Sequence, residues 1–146
     1  MFSKSCKYAI RAVLYLSIHS GEDKMIGVDV ISDELDVPKH FLAKLLQQLS
    51  RARLISSMKG RSGGFFLSEK DLESNLLLVI EAIDGPGTFT DCVLGLKTCS
   101  DKNPCPYHFK ITDFRSKFYA QLKEETVGEI STRIKEKNFK LKNIPL

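Results

Sequence analysis

A mainly α-helical chain with one small β-hairpin is the fold class this sequence predicts, and three observations predict it. Apolar residues recur at helical spacing along most of its 146 residues. Between Val28 and Ala52, a short amphipathic segment, a turn containing Pro38 and a second amphipathic segment follow one another. Two β-prone runs, Leu54–Met58 and Phe65–Leu67, are then joined by Lys59-Gly60-Arg61-Ser62-Gly63-Gly64, whose glycines supply the freedom of a turn. This order reads as a winged helix-turn-helix domain, with a long helix to follow at the C-terminal end.

Each element has its own signal. Residues 3–19 carry a stripe of Tyr8, Ala12, Tyr15 and Leu16 flanked by Ala9, Ile10 and Val13, and Gly21 ends the helix. Val28–Leu35 is a short helix with Val30, Ile31 and Leu35 expected inward. Pro38 lacks an N–H and suits the first turn of the next helix, Lys39 to about Ala52. That helix turns Phe41, Leu42, Leu45, Leu46 and Leu49 to the core and Lys39, His40, Ala43, Lys44, Gln47, Gln48 and Arg51 outward. Leu76–Ile83 is another helix, and Gly85–Pro106 is irregular, rich in Gly and Pro. A long irregular segment inside a compact domain signals function or disorder. From Tyr107 to about Lys137 the pattern predicts one helix, with Phe114, Phe118, Leu122, Val127, Ile130 and Ile134 along it. At roughly 45 Å it would outrun the domain, so its stripe implies a partner, most simply a second subunit. The expected division is 1–84 for the winged domain, 85–106 for a cysteine-containing sensor loop, 107–138 for a dimerisation helix and 139–146 for a flexible tail.

Charge placement points to a polyanion. Val37–Ser68 contains no Asp or Glu but holds Lys39, Lys44, Arg51, Arg53, Lys59 and Arg61. Residues 1–70 carry 11 Lys/Arg against 7 Asp/Glu, while residues 71–146 carry 11 against 11, so the net +4 resides in the N-terminal half. A basic helix and wing free of acids suit double-stranded DNA. Lys59 and Arg61 at the wing tip could clasp phosphates or enter a minor groove. The loop matches neither phosphate-cradling glycine motif, and no paired carboxylates or nucleophile–His pair suggest an enzyme. Arg11 interrupts the opening apolar run and no spanning segment follows, so a cytoplasmic, reducing location is expected.

The cysteines then suit metal or redox chemistry better than structural disulfides. Cys92, Cys99, Cys105 and His108 form C-x6-C-x5-C-x2-H. Thiolates with an imidazole can hold an iron–sulfur cluster, and wide spacing favours a bulky centre over a Cys3His zinc site. A thiol–disulfide switch and inert cysteines remain open at this point. Cys6, in the first turn of the first helix, reads as a small packing residue, with a ligand role across a dimer as the alternative.

These features together resemble the Rrf-two (Rrf2) family of bacterial winged-helix regulators across residues 1–138. The carriers are Lys7-Tyr8-Ala9-Ile10-Arg11-Ala12, Ile31-Ser32-Asp33-Glu34-Leu35 with Val37-Pro38, Leu42 to Leu49, the wing from Leu54 to Phe65, the three-cysteine loop and the last helix. The resemblance implies a homodimer with crossing C-terminal helices, each loop packed near the partner's DNA-binding domain, on a pseudo-palindromic operator. It implies DNA contacts from Pro38, Lys39, His40, Phe41 and Lys44 and from Lys59, Arg61 and Ser62 of the wing; Lys4 and Lys7 of the first helix are further candidates for DNA contact. It implies cluster ligands Cys92, Cys99, Cys105 and His108, and a 2Fe–2S rather than 4Fe–4S centre, because Tyr8 stands where 4Fe–4S members carry Asp. A repressor sensing redox state, nitric oxide or cluster supply is expected, against a cluster-free regulator responding through thiols or a protein or small-molecule partner. Three departures stand out: a first cysteine gap one residue longer, Ala43 in place of a Glu that governs operator choice, and Arg61 in place of a wing-tip Pro.

Overall fold

In the computed structural model, which describes residues 1–142, α1 (Lys4–His19) starts where the Ser3 hydroxyl accepts from the Cys6 N–H at 3.0 Å. Its buried stripe, Cys6, Ala9, Ala12, Val13 and Leu16, is the axis of the core. α2 (Val28–Leu35) ends at Asp36, whose left-handed backbone (φ 53°) reverses the chain. The Ser32 hydroxyl donates to the Val37 carbonyl at 2.6 Å and fixes the turn into α3 (Lys39–Arg51). α3 buries Leu42, Leu45, Leu46 and Leu49, and Leu42, Leu46 and Leu49 join the core built around α1 and α2. Val30, expected inward, is 50% exposed. α2 is short, and Ile31 and Leu35 fill its inner side, which turns Val30 to the surface.

The hairpin pairs β1 (Ser56–Met58) with β2 (Gly64–Phe66) in antiparallel register, Ser57 opposite Phe65. Ile26 adds a third rung that the sequence reading did not include, exchanging hydrogen bonds of 2.9 and 2.8 Å with Phe65. Gly64 permits this approach, since a Cβ there would lie 2.6 Å from the Ile26 carbonyl oxygen. The buried carboxylate of Asp71, in α4 (Glu69–Leu72), accepts from the Ser56 hydroxyl at 2.7 Å and the Ser68 N–H at 3.0 Å, tying the wing's base to the body.

α5 (Leu76–Asp84) packs across α1 and leads through a short 3-10 turn, Pro86–Phe89, into the cysteine segment. The single helix expected over 107–137 is two: α6 (His108–Glu124) and α7 (Val127–Lys137). Thr126 and Glu129 form a capping box, and the Val127 N–H donates to the Ser74 carbonyl at 2.8 Å. α7 turns back onto α1, burying Val127, Ile130 and Ile134, with the Ser131 hydroxyl on the Ser17 carbonyl at 3.1 Å. α7 therefore packs with the body expected to end at residue 84, while α6, about 26 Å long, has no fully buried residue and rests on that body through Phe118, Tyr119 and Leu122. Leu141 of the expected flexible tail packs on the body and accepts from Arg11; residues 143–146 of that tail lie outside the described residues. Among the described residues, no helix is long and apolar enough to cross a membrane.

Candidate nucleic-acid interface and metal centre

The outer face of α3 presents Lys39, His40, Phe41, Lys44, Gln47 and Arg51 to solvent, with Pro38 at its N-cap. Gln48 is less free, donating to the Ala82 carbonyl at 2.9 Å. Lys39 pairs with Asp29 of α2, an exposed contact that a phosphate could replace. Lys59, Arg61 and Ser62 stand exposed at the hairpin tip, and among the described residues Lys44, Lys59 and Arg61 form no ion pair. The Ser50 and Ser57 hydroxyls meet at 3.2 Å, joining the last turn of α3 to the wing. Lys4 and Lys7 are exposed on α1. Lys4 sits 5.8 Å from the Tyr8 ring centre, and Tyr8 meets Phe41 edge-on at 5.7 Å, so the start of α1 lies beside the start of α3. Phe41, expected inward, is instead 39% exposed, and helical spacing alone does not reveal its edge-on contact with Tyr8.

The cysteine segment is anchored at both ends and turned in the middle. Phe89 packs among Phe2, Phe118 and Tyr119, and Cys105 is buried at the other end. Gly95, at φ 74°, donates to the Cys92 carbonyl at 2.9 Å, and Ser100 and Asn103 exchange hydrogen bonds of 3.2 and 3.0 Å. These turns bring three sulfurs together. The Sγ atoms of Cys92, Cys99 and Cys105 lie within 4.8 Å of one another, and Cys92 and Cys105 are 3.8 Å apart. His108, in the first turn of α6, places Nδ1 3.2 Å from the Cys99 sulfur and Nε2 2.7 Å from an Asp101 carboxylate oxygen.

Around these groups is a cavity of about 300 Å³ lined also by Val93, Ile111 and Arg115. The Arg115 Nε–H is buried without a hydrogen-bond partner in this wall, although Nη1 reaches the Asp91 carbonyl. A buried donor without a partner beside this cavity is one that an acceptor could satisfy. Three soft sulfurs, an imidazole and an orphaned donor around one space fit a thiolate-bound metal or cluster.

The cysteines differ sharply in acidity. The Leu96 N–H, chiefly, pulls the Cys92 thiol down to about 7; burial opposes it, and the Leu94 N–H and the other two thiols add to the lowering. Cys99 feels the Cys105 N–H pulling it down, but partial burial and the two neighbouring thiols outweigh that, and its pKa rises. Cys6 is elsewhere, fully buried with Leu77, Ile80 and Phe89. Burial, reinforced by Asp84, pushes its thiol up to about 12, so it packs as a small apolar side chain within this chain.

The family profile described as "Iron-dependent Transcriptional regulator" matches residues 2–133. The chain belongs to the Rrf2 family. As an Rrf2 protein it is a DNA-binding transcriptional regulator rather than an enzyme. A protein of Aquifex aeolicus named as an HTH-type transcriptional regulator is 29% identical over 141 residues, covering 95% of this chain and 96% of that one. The transcriptional regulator IscR of Photobacterium profundum is 29% identical over 124 residues, 85% of this chain and 71% of that protein. Among solved structures, the B. subtilis global cysteine regulator CymR superposes with a TM-score of 0.72 at 17% identity, over 91% of this chain and 97% of that one, and supports the Rrf2 winged-helix fold.

Proposed function

We propose that this chain is a homodimeric repressor whose affinity for a pseudo-palindromic operator is set by an iron–sulfur cluster, of 2Fe–2S type, held by Cys92, Cys99, Cys105 and His108. The observation that carries this is the convergence of three sulfurs and one imidazole nitrogen on a cavity with an orphaned donor in its wall. The family's iron-dependent description and the likeness to IscR support it. When bound, the cluster supplies a redox- and nitric-oxide-reactive centre and cross-links a segment that otherwise holds few buried contacts.

This chain's own residues do the rest. Cys105 is buried beside the other two thiols, Cys92 offers a thiolate near neutral pH, and Arg115 adds an unpaired donor to the cavity lining. The segment begins directly after Asp84, whose carboxylate accepts from the Ser3 N–H at 2.8 Å at the head of α1. From there Tyr8 touches Phe41 of the recognition helix. A change in the cysteine segment can thus reach the DNA-reading face through α5 and α1. Only a difference in DNA affinity between the two states would switch transcription. The exposed aromatic residues of α6, Phe109 and Phe114, are the surface for the second subunit.

The test is anaerobic purification with a visible spectrum and counts of iron, sulfide and zinc, followed by operator titration with and without cluster. About two irons and two sulfides per subunit are expected, with the C92A/C99A/C105A variant colourless and locked in one DNA-binding state. Equal operator affinity of the two forms would falsify cluster control.

One observation favours a second reading. Cys92 and Cys105 are 3.8 Å apart and Cys92 is acidified, so an oxidant could take two electrons and two protons to close a disulfide. Colourless protein that resists reconstitution, yet loses two hydrogens in mass on mild oxidation, would select it.

A further inference from the structure

Asp101 was not among the residues that the cysteine spacing singled out, yet it makes the one contact that decides how His108 presents itself. It sits in the turn closed by the two Ser100–Asn103 hydrogen bonds, and the Asn103 side chain pins that turn further by donating to the Thr98 carbonyl at 3.3 Å. From this turn its carboxylate oxygen lies 2.7 Å from His108 Nε2, while Nδ1 of the same ring lies 3.2 Å from the Cys99 sulfur. Turning the ring over would place carbon at both positions and lose both contacts, so the pair of distances fixes its orientation. A carboxylate only accepts, so the nitrogen facing it must carry the hydrogen. In the neutral ring that leaves the Nδ1 lone pair free, aimed into the sulfur cluster.

We infer that Asp101 is the positioning residue that selects the Nε2–H tautomer of His108 and so makes Nδ1 the fourth donor to the metal centre. The inference rests on the reading of the cysteine cavity as a cluster site. Carboxylate, imidazole and metal in line is the arrangement by which proteins orient a histidine ligand and raise its basicity. The contact is not a stability device: the Asp101 side chain is 85% exposed, and exposed pairs contribute little to folding. D101A should therefore leave the fold intact.

The experiment has one arm without metal and one with it. In nitrogen-15-labelled apo protein, long-range proton–nitrogen correlation should show His108 protonated on Nε2, and D101A should mix the two tautomers, with D101E restoring the first. In anaerobically reconstituted protein, D101A should lose iron to a chelator about tenfold faster or more. Its reduction potential should shift upward, because the imidazole becomes a poorer electron donor, and D101E should recover both properties. A reconstituted wild type whose D101A variant keeps the same tautomer, the same rate of iron loss and the same potential would overturn the inference alone. A wild type that takes up no cluster under reconstitution would overturn the reading beneath it.

Discussion

The body that carries the recognition helix and the segment that carries the cysteines are ordered by different forces. From α1 to α5, and again in α7, side chains are held by burial: Leu16, Ile31, Leu42, Leu46, Leu49, Ile80 and Val127 are essentially inaccessible. Between residues 85 and 126 only Phe89 and Cys105 are fully buried apolar residues, and α6 only partly buries Phe118, Tyr119 and Leu122. There the chain is held by one aromatic cluster around Phe89, by turns and by hydrogen bonds to sulfur, such as the Cys105 N–H on Cys99 Sγ at 3.4 Å. Burial gives a body with one deep arrangement; a segment with few apolar contacts can reorganise at small cost. The division suits the proposed regulator: a body held by deep burial joined to a more lightly packed cysteine segment.

The strongest way to break this comparison is to attack each region by truncation. Leu46→Ala, in the body, should cost about 2–5 kcal/mol and markedly lower the denaturation midpoint. In the metal-free protein the triple Cys-to-Ala change in the loop should move that midpoint by less than about 1 kcal/mol. Comparable losses would show that the loop belongs to the cooperative core.

Alkylation of reduced, metal-free protein sharpens the contrast between its thiols. Because Cys92 is acidified, its thiolate should form as pH rises through about 7, and labelling should follow that rise. Cys6, pushed up to about 12 and buried, should stay unlabelled until the protein unfolds. Mass mapping of labelled peptides between pH 5 and 9 checks both, and early labelling of Cys6 would contradict its packing role.

A smaller effect is expected at the joint between the regions. Thr126→Ala removes the cap of α7 and should destabilise the body by about 1 kcal/mol in denaturant. No change would mean that α7 docks without its cap. The smallest effect concerns the surface. Arg61→Ala should weaken operator binding and reduce its logarithmic salt slope by about 1, leaving the melting temperature unmoved. An unaltered slope would take the wing tip out of the phosphate contacts.

Much of this was legible in the sequence, for reasons that can be located. The helix-turn-helix showed because Leu42, Leu45, Leu46 and Leu49 keep helical spacing after a Pro-marked turn, and the wing showed because its glycines join two β-prone runs. The C-x6-C-x5-C-x2-H spacing marked four residues that the fold brings together. The break at Thr126 was missed because the apolar stripe runs on past it; Thr126-x-x-Glu129 before an apolar residue was the available signal. The Ile26 rung rests on one residue pairing across 39 positions, which no local pattern reveals. Asp101 meets His108 through a turn and Arg115 is left unpaired by its packing, neither of which cysteine spacing could single out.

The return of α7 onto α1 also sets an order of events during synthesis. The core around α1 is closed by Val127, Ile130 and Ile134, so the DNA reader cannot be completed until those residues have left the ribosome. By then Cys92, Cys99, Cys105 and His108 have already emerged. Every newly made copy thus exposes Cys92, Cys99, Cys105 and His108 before the core beneath the winged domain is closed, so these side chains meet solvent before that domain is complete.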